Sequence, residues 1–555
     1  MYSSKENINI LTALLSAHGV GRAVVCPGSR NAPIVHNMHE AGIECHAVTD
    51  ERSAGFYAIG MALRTCSPVA VCVTSGSALL NLAPAAAEAH YRHLPIIFIS
   101  ADRPPQWIGQ LDGQTMPQNG ALKSFVRRSV CINEPVDDET RWYCRRLVSE
   151  ALLAMQGVAQ APVHINVPIS EPLFEFDAVS LPEIKPVKLL RATSVSPSVM
   201  ELLSARMLSA RRPMIVAGQY GYNKTLAKAL TAISKRVVVL QEPLSPGLGS
   251  VHFDEVLSAM GDTGDYLPDF ILYVGDTLVS KRLKTFLRRA VDAETWAVSE
   301  DGEIHDAFCN QTMVIEGCAA DVLTCISDDL EHLPAGSFRT LWQSALDKFA
   351  PLSAGFVPRY SQMMAVKMFE TMLEESDYDY DVHYANSSAV RLGCMFANHY
   401  IYVNRGVNGI EGSLSTAAGF SLAGESMTFC VTGDLSFFYD SNALWHGNIG
   451  GNLRVLLLNN AGGGIFRTLP GLERSGVRDK YVAGEHRSSA HGVCDAHDIG
   501  YISARNADEL AGKMNVFLYS GTHRPLVFEV FTDAEDDAAA LKEYLDYCKK
   551  ESGTK

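Results

Sequence analysis

No stretch of this sequence reaches the roughly 20 consecutive apolar residues that a membrane-crossing helix needs. The first ten residues carry Lys5 and Glu6 where a secretion signal has its apolar core. Positive charge is scarce as well. The 47 Lys and Arg against 62 Asp and Glu give a formal charge of −15, which excludes a broadly basic nucleic-acid-binding surface. The 13 cysteines include no pair at CxxC spacing, so neither a zinc site nor a disulfide framework is expected. Together these absences describe a cytoplasmic protein with reduced thiols and with no membrane or nucleic-acid partner. Neither GxGxxG nor GxxxxGK[ST] occurs, which removes the two common nucleotide-phosphate loops. Low-complexity tracts and short internal repeats are missing too.

What is present is an ordinary globular balance, 47% hydrophobic and 20% charged, over 555 residues, a length that suits several domains. Apolar runs at 23–26, 45–49, 69–74 and 96–100 read as strands. They alternate with helical patterns such as 53–64 and 78–90. A second block places strands at 213–218, 236–240, 270–275 and 295–298. A third has them at 384, 401–404, 427–432, 454–458 and 526–530. Strands alternating with helices imply parallel sheets covered on both faces. The expected fold is therefore α/β, with three doubly wound parallel-sheet domains at 1–178, 195–340 and 355–555. Irregular segments at about 171–197 and 349–359 separate them.

Two strand ends carry the most specific chemistry. The run 427–434 ends in Gly433-Asp434. After a helical stretch at 441–446, the run 453–460 ends in Asn459-Asn460, followed by Ala461 and Gly462–Gly464. Asp434 and Asn460 are 26 residues apart, one strand–helix–strand step. In parallel sheets ligands bind beyond the carboxyl ends of strands, so both polar ends should face one crevice. A carboxylate, an amide oxygen and a turn carbonyl suit a hard divalent cation bound together with diphosphate oxygens. Glycines there let the backbone approach a bulky anion. Strand-end Asp and Asn also cap turns, and the pair alone leaves both readings open.

The Gly-Asp to Asn-Asn step resembles the thiamine-diphosphate signature of the decarboxylases and acetohydroxyacid synthases. Further stretches narrow the resemblance. They are Cys26-Pro-Gly-Ser-Arg-Asn-Ala-Pro33, Asp50-Glu51-Arg52-Ser-Ala-Gly55, Thr74-Ser-Gly-Ser-Ala78 with Asn81-Leu-Ala-Pro84, and Ala101-Asp-Arg-Pro-Pro105. Lys281-Arg282, Asn386-Ser387 with Arg391, Asn404-Arg-Gly-Val-Asn-Gly-Ile410 and 459–466 complete the set. Over nearly the whole chain, the sequence resembles the 2-succinyl-5-enolpyruvyl-6-hydroxy-3-cyclohexene-1-carboxylate synthase family.

That resemblance implies a thiamine-diphosphate-dependent transferase of menaquinone biosynthesis, built from pyrimidine-binding, central and diphosphate-binding domains. It implies a homodimer or homotetramer whose sites are shared between chains. The metal, Mg2+ or Mn2+, would be held by Asp434, the Asn460 side chain and the Gly462 carbonyl, with Asn459 in support. Glu51 would bond the cofactor's pyrimidine nitrogen and drive its activation. Ile410 would wedge beneath the cofactor, and Gly433, Leu435, Ser436 and Ile465 would complete its site. Ser387, Arg391 and Arg405 fall on the 2-oxoglutarate side. Ser29, Arg30, Arg103, Gln114, Lys281 and Arg282 fall on the isochorismate side, and Phe466 borders the substrates. Both substrates are dianions, which suits six cations drawn from three blocks.

One departure stands out: Gly113 occupies a position where a polar side chain is expected. The stretch 466–491, rich in Gly, Arg and Ser, suits a mobile loop. His90 and His93 face one helix side, but the sequence places no carboxylate beside them, so capping is the expectation. The acidic run 377–381 lacks a calcium loop's Gly and Glu and reads as a solvated turn. Two alternatives stay in view: a thiamine-diphosphate lyase or carboligase for another 2-oxo acid, and a non-catalytic protein that keeps the fold. Retention of Glu51 disfavours the latter.

Overall fold

The structure, a computed structural model, describes residues 1–553 except 158, 191–193, 248–251, 261–262, 333 and 470. Its strands form three sheets, and every pairing within them is parallel. In spatial order the first sheet holds Glu44–Ala47, Arg22–Val25, Val69–Val73, Ile96–Asp102, Val163–Pro168 and Arg128–Cys131. The central sheet runs Val238–Gln241, Pro213–Ala217, Phe270–Val274, Glu294–Ser299 and Gln311–Glu316. The third runs Ile401–Tyr402, Tyr380–Tyr384, Met427–Gly433, Leu453–Asn459, Leu526–Phe531 and Gly500–Ala504.

Counted in chain order within each sheet, the first and third share the order 2-1-3-4-6-5, and the central sheet is 2-1-3-4-5. Each sheet therefore reverses direction beside its first strand, which opens a crevice at the carboxyl ends there.

Four strands escape the apolar pattern, each for a physical reason. Arg128–Cys131, Gln311–Glu316 and Gly500–Ala504 lie at sheet edges, where half-exposed polar residues interrupt any continuous run. Val163–Pro168 is fully buried but contains His164 and Asn166, which spend their polar atoms inside the domain. Ser100 and Ser129 lie 2.8 and 3.1 Å from the two His164 nitrogens, and Asn166 donates to Asp102 at 2.8 Å.

Three expectations fail locally. Most of 349–359 is not irregular, because helix Ser337–Gly355 continues through Pro351. Buried Phe338, Trp342, Leu346 and Phe349 hold it to the core and outweigh the one hydrogen bond that proline removes. The helix expected at 441–446 instead begins at Asp434 and ends at Tyr439, leaving only a 3₁₀ turn at Ser441–Ala443. The 377–381 run is also less solvated than expected, since Asp381 accepts from Arg64 at 2.6 Å and from Ser426 at 2.8 Å.

The first and third sheets are locked together by helices Glu51–Thr65 and Ser413–Leu422. Gly60 and Gly419 let the two backbones touch. A Cβ on Gly60 would sit 2.0 Å from the Thr416 carbonyl oxygen, and one on Gly419 would sit 2.1 Å from that of Tyr57. Tyr57 donates its hydroxyl to the Ala443 carbonyl at 2.5 Å, and Arg52 donates to the Tyr439 carbonyl at 2.7 Å. Gly419→Ala should therefore destabilise the chain by about 1–3 kcal/mol, because backbone cannot yield as a side chain can. Gly512→Ala, at an exposed helical glycine with open space around it, is the control and should not lower stability. Thermal unfolding of the two variants beside the parent checks the contrast.

Candidate active site

Four adjacent strands of the third sheet end at one edge, at Tyr384, Gly433, Asn459 and Phe531, and the polar residues that follow them meet there. Asp434 is almost fully buried and opens the helix Asp434–Tyr439. Its carboxylate accepts from the Leu435 N–H at 2.7 Å and from the Gly462 N–H at 2.9 Å. Burial pushes this carboxyl above the usual range, against the pull of those N–H groups, the Asn460 N–H and His486. His486 Nε2 lies 3.3 Å from Asp434 Oδ2 without hydrogen-bond geometry.

Asn460 donates its amide to Asp537 at 2.8 Å, which leaves Oδ1 without a hydrogen bond among the described residues. Ala461 takes a left-handed φ of 63°, a costly conformation for a residue with a side chain, of order 1–3 kcal/mol. That kink turns the chain into Gly462–Gly464, where a Cβ on Gly464 would meet Asn460 Nδ2 at 2.5 Å. Asp434, Asn460 Oδ1 and the Gly462 carbonyl are all oxygen donors, a set that fits a hard divalent cation. Asn459 is spent internally: it donates to Glu529 and to the Ser488 carbonyl, and accepts from the Ala461 N–H. The 466–491 segment folds back on this loop, with Gly463 N–H donating to the Ala483 carbonyl at 2.7 Å and His486 N–H to that of Ala461 at 3.1 Å.

Glu51 starts the helix that Asp50 caps, Asp50 accepting from the Ser53 N–H at 2.9 Å. Asn81 donates to Glu51 at 3.1 Å, so two of the quoted motifs meet. Ile410 is 43% exposed, an apolar side chain left uncovered within the chain. Ser436 donates its hydroxyl to the Ile410 carbonyl, tying that loop to the Asp434 helix. Gly433 and Leu435 flank Asp434, while Ile465 and Phe466 lie in the 3₁₀ turn Gly464–Thr468.

The six cations do not form one cluster within a single chain. Lys281, Arg282 and Arg391 line a cavity of about 340 Å³ together with Asn460, Gly464 and Ile465. Arg282 is paired with Asp254 at 3.1 Å. Lys281 makes no side-chain hydrogen bond among the described residues, and Arg391 has one long contact, to the Ser387 carbonyl at 3.5 Å. Ser387 itself is strained, with φ 73° and ψ −127°. Arg405 reaches Asn386 at 3.3 Å and the Leu278 carbonyl at 3.5 Å, and its buried Nε has no partner. Burial works against the charges of Arg391 and Arg405, leaving two guanidinium groups short of acceptors.

In the first sheet's domain the cations are satisfied. Arg30 donates to the Ile169 carbonyl at 2.9 Å and to Glu171 at 2.8 Å. Arg103 Nε lies 3.0 Å from both the Gly113 carbonyl and Asp112. Where a polar side chain was expected, Gly113 thus offers a backbone acceptor. Gln114, with φ 56°, packs its backbone on Gly76, and Ser29 is exposed in the bend that follows the first strand.

Comparison with known proteins interprets this arrangement. The family described as thiamine pyrophosphate enzyme, N-terminal TPP binding domain, matches residues 8–123. A protein named 2-succinyl-5-enolpyruvyl-6-hydroxy-3-cyclohexene-1-carboxylate synthase from Bacteroides thetaiotaomicron is 42% identical over 565 residues, covering 99% of this chain and 100% of the relative. Those of the same name from Porphyromonas gingivalis and Christiangramia forsetii are 36% and 32% identical, each covering 99% of this chain and 98% and 100% of the relative. The chain belongs to this synthase family. It is a thiamine-diphosphate-dependent enzyme with the α/β fold that dependence implies.

For a member of this synthase family, several residues at the site were not legible beforehand. Glu242, Asp254 and Asp537 line the same cavity as Lys281 and Arg391. Glu242 directly follows a strand end, the signal that singled out Asp434, whereas Asp537 lies inside a helix and carries no motif. One expectation is corrected. His93 does have carboxylates nearby, since Asp276 and Asp301 of the central domain each come within 3.8 Å of its Nε2. Strand-to-helix connections far apart in sequence bring them there. Among the described residues no group of three or more His, Cys, Asp or Glu is arranged to hold a metal ion, and burial lowers the His93 imidazole below its ordinary value.

Glu242 is 3% exposed and accepts the Val279 and Ser280 N–H groups, each at 2.7 Å. Burial nevertheless raises its carboxyl to about 7. An acid whose folded value lies above its unfolded one binds protons better when folded, so its contribution to stability falls as pH rises from about 4.5 to about 7. Relative to the parent, Glu242→Gln should gain on the order of 1–3 kcal/mol in stability between pH 5 and pH 8. Urea unfolding of both proteins at the two pH values measures this difference.

Proposed function

We propose that this enzyme decarboxylates 2-oxoglutarate and joins the remaining four-carbon unit to isochorismate by 1,4-addition. The product is 2-succinyl-5-enolpyruvyl-6-hydroxy-3-cyclohexene-1-carboxylate, and the reaction belongs to menaquinone biosynthesis. The observation that carries this reading is the pair of acceptor-poor guanidinium groups, Arg391 and Arg405, near enough for each charge to act on the other, with Arg391 lining the cavity that Asn460 also lines. Buried, under-bonded guanidinium groups favour an anionic ligand.

Thiamine diphosphate supplies the electron sink that loss of carbon dioxide from a 2-oxo acid requires. Asp434, the Asn460 amide oxygen and the Gly462 carbonyl would hold Mg2+ or Mn2+ for the cofactor's diphosphate, and Gly433, Leu435, Ser436 and Ile465 would line its site. Ile410 offers an apolar surface to its rings, and Glu51 holds a proton at its pyrimidine nitrogen. Arg391, Arg405 and Ser387 orient 2-oxoglutarate. Lys281 and Arg282, with Ser29, Arg30, Arg103, Gln114 and Phe466, receive isochorismate. Glu51 and Arg103 lie on the first sheet's domain and do not line the cavity that holds Lys281 and Arg391. That separation supports sites completed by a second copy, in a homodimer or homotetramer working in the cytoplasm. The domains divide at 1–178, 195–340 and 355–555.

The test is an assay with thiamine diphosphate and Mg2+ in which isochorismate disappears as carbon dioxide is released from 2-oxoglutarate. Equal turnover with pyruvate would overturn the substrate assignment, because pyruvate lacks the distal carboxylate and would leave a buried cation unpaired. Arg391→Ala should lower kcat/KM for 2-oxoglutarate about 10–100-fold, the worth of one or two charge-assisted hydrogen bonds. Glu51→Gln should lower kcat by at least about 100-fold with an unchanged thermal midpoint, since it removes a proton-handling group and little packing.

A further inference from the structure

An asparagine can serve a cation only through its oxygen, yet its two amide ends are nearly identical in shape. Something outside the side chain must decide which end faces the metal. For Asn460 that neighbour is Asp537. Its Nδ2 lies 2.8 Å from Asp537 Oδ2, and a carboxylate oxygen accepts the amide's N–H. The contact therefore commits the NH₂ end to Asp537 and leaves Oδ1 turned away from it.

Asp537 is itself fixed on two sides. Its Oδ1 accepts from the Gln362 N–H at 2.8 Å, and its Oδ2 also accepts from the Thr532 hydroxyl at 3.0 Å. Thr532 directly follows strand Leu526–Phe531, which pairs with Leu453–Asn459, and its N–H extends that ladder to the Asn459 carbonyl at 2.9 Å. The carboxylate is thus referenced to the same sheet edge as the loop it steadies. Gly464 closes the other side, where any Cβ would strike Asn460 Nδ2.

We infer that Asp537 is a positioning residue for the metal site: it holds the Asn460 amide with its oxygen free for the cation. The inference rests on the reading of Asn460 as a ligand. Outer-shell partners of this kind are worth roughly 10–100-fold in metal affinity. Asp537→Asn preserves shape but can donate as well as accept, so it permits both orientations of the Asn460 amide. Exchanging the pair, Asn460→Asp with Asp537→Asn, makes orientation irrelevant, because both ends of the group at 460 are then oxygens and the amide introduced at 537 donates to one of them.

The test uses the full-length chain with thiamine diphosphate, and Mn2+ as the probe. Bound metal is read from the loss of the free-ion electron paramagnetic resonance signal, and the thermal midpoint is taken without metal or cofactor. Asp537→Asn should weaken Mn2+ binding about 10–100-fold while leaving that midpoint unchanged, and the exchanged pair should restore binding to near the parent value. Parent-like Mn2+ binding by Asp537→Asn overturns the inference. So does weakened binding matched by a lowered midpoint in the absence of metal, or a folded exchanged pair that fails to recover. Asn460→Ala separates the two levels: if it binds Mn2+ like the parent, the ligand reading itself has failed.

Discussion

Two helices that touch backbone to backbone set the geometry on which everything else depends. Gly60 and Gly419 remove the side chains that would hold Glu51–Thr65 and Ser413–Leu422 apart, and no other residue leaves that space. Once they meet, Glu51 at the start of one helix is referenced to the loop that leads into the other. Gly412 packs on the Phe56 ring, so the 404–412 segment, with Arg405 and Ile410, is held against the first sheet's domain. Asp50 reaches Asn442 at 2.7 Å, and Arg52 and Tyr57 reach 439–443, just beyond the Asp434 helix. One close contact thereby fixes Glu51 and the Asp434 helix in a common frame.

The second constraint is the cost of burying charge. Asp434 sits beneath the surface with backbone N–H groups around it and His486 at its edge, and burial still raises its carboxyl. Backbone dipoles lower that cost without cancelling it, so the loop remains short of positive charge. The cation proposed for this loop would offset that cost. The strained Ala461 and Ser387 belong to the same account. Their left-handed conformations cost energy that packing elsewhere offsets, and both occur where a strand end hands over to the site.

Much of this was legible because parallel α/β sheets write their function at strand ends. Asp434 and Asn460 stood out by a strand–helix–strand spacing that backbone geometry imposes. Glu242 follows a strand in the same way but lacked a partner one step later. Asp537 was hidden because its role comes from a sheet neighbour, Leu453–Asn459, that sequence order does not reveal. The pairing of Arg30 with Glu171 and of Arg103 with Asp112 was hidden for a simpler reason: an arginine's charge is visible in sequence, but its acceptors are not. Val163–Pro168 shows the converse, a central strand disguised by buried polar residues whose partners lie on the neighbouring strands.

The division between satisfied and unsatisfied cations bears on how two dianions would be taken up. Where Arg30 or Arg103 meets a substrate carboxylate, it exchanges one acidic partner for another, and the net charge of the site changes little. Such an exchange aligns a ligand more than it strengthens binding. Lys281, Arg391 and Arg405 have no carboxylate bonded to them among the described residues, so a ligand's charge there is newly compensated. Of the cavity's acids, Glu242 is turned to the Val279 and Ser280 N–H groups and Asp254 to the Ser280 hydroxyl and Arg282, so that both anchor the segment that presents Lys281 and Arg282. Acids in a cavity proposed to take anions are then not a contradiction. They hold the segment in place from behind, Asp254 pairing with Arg282, and affinity for the ligand falls mainly to the cations they do not pair.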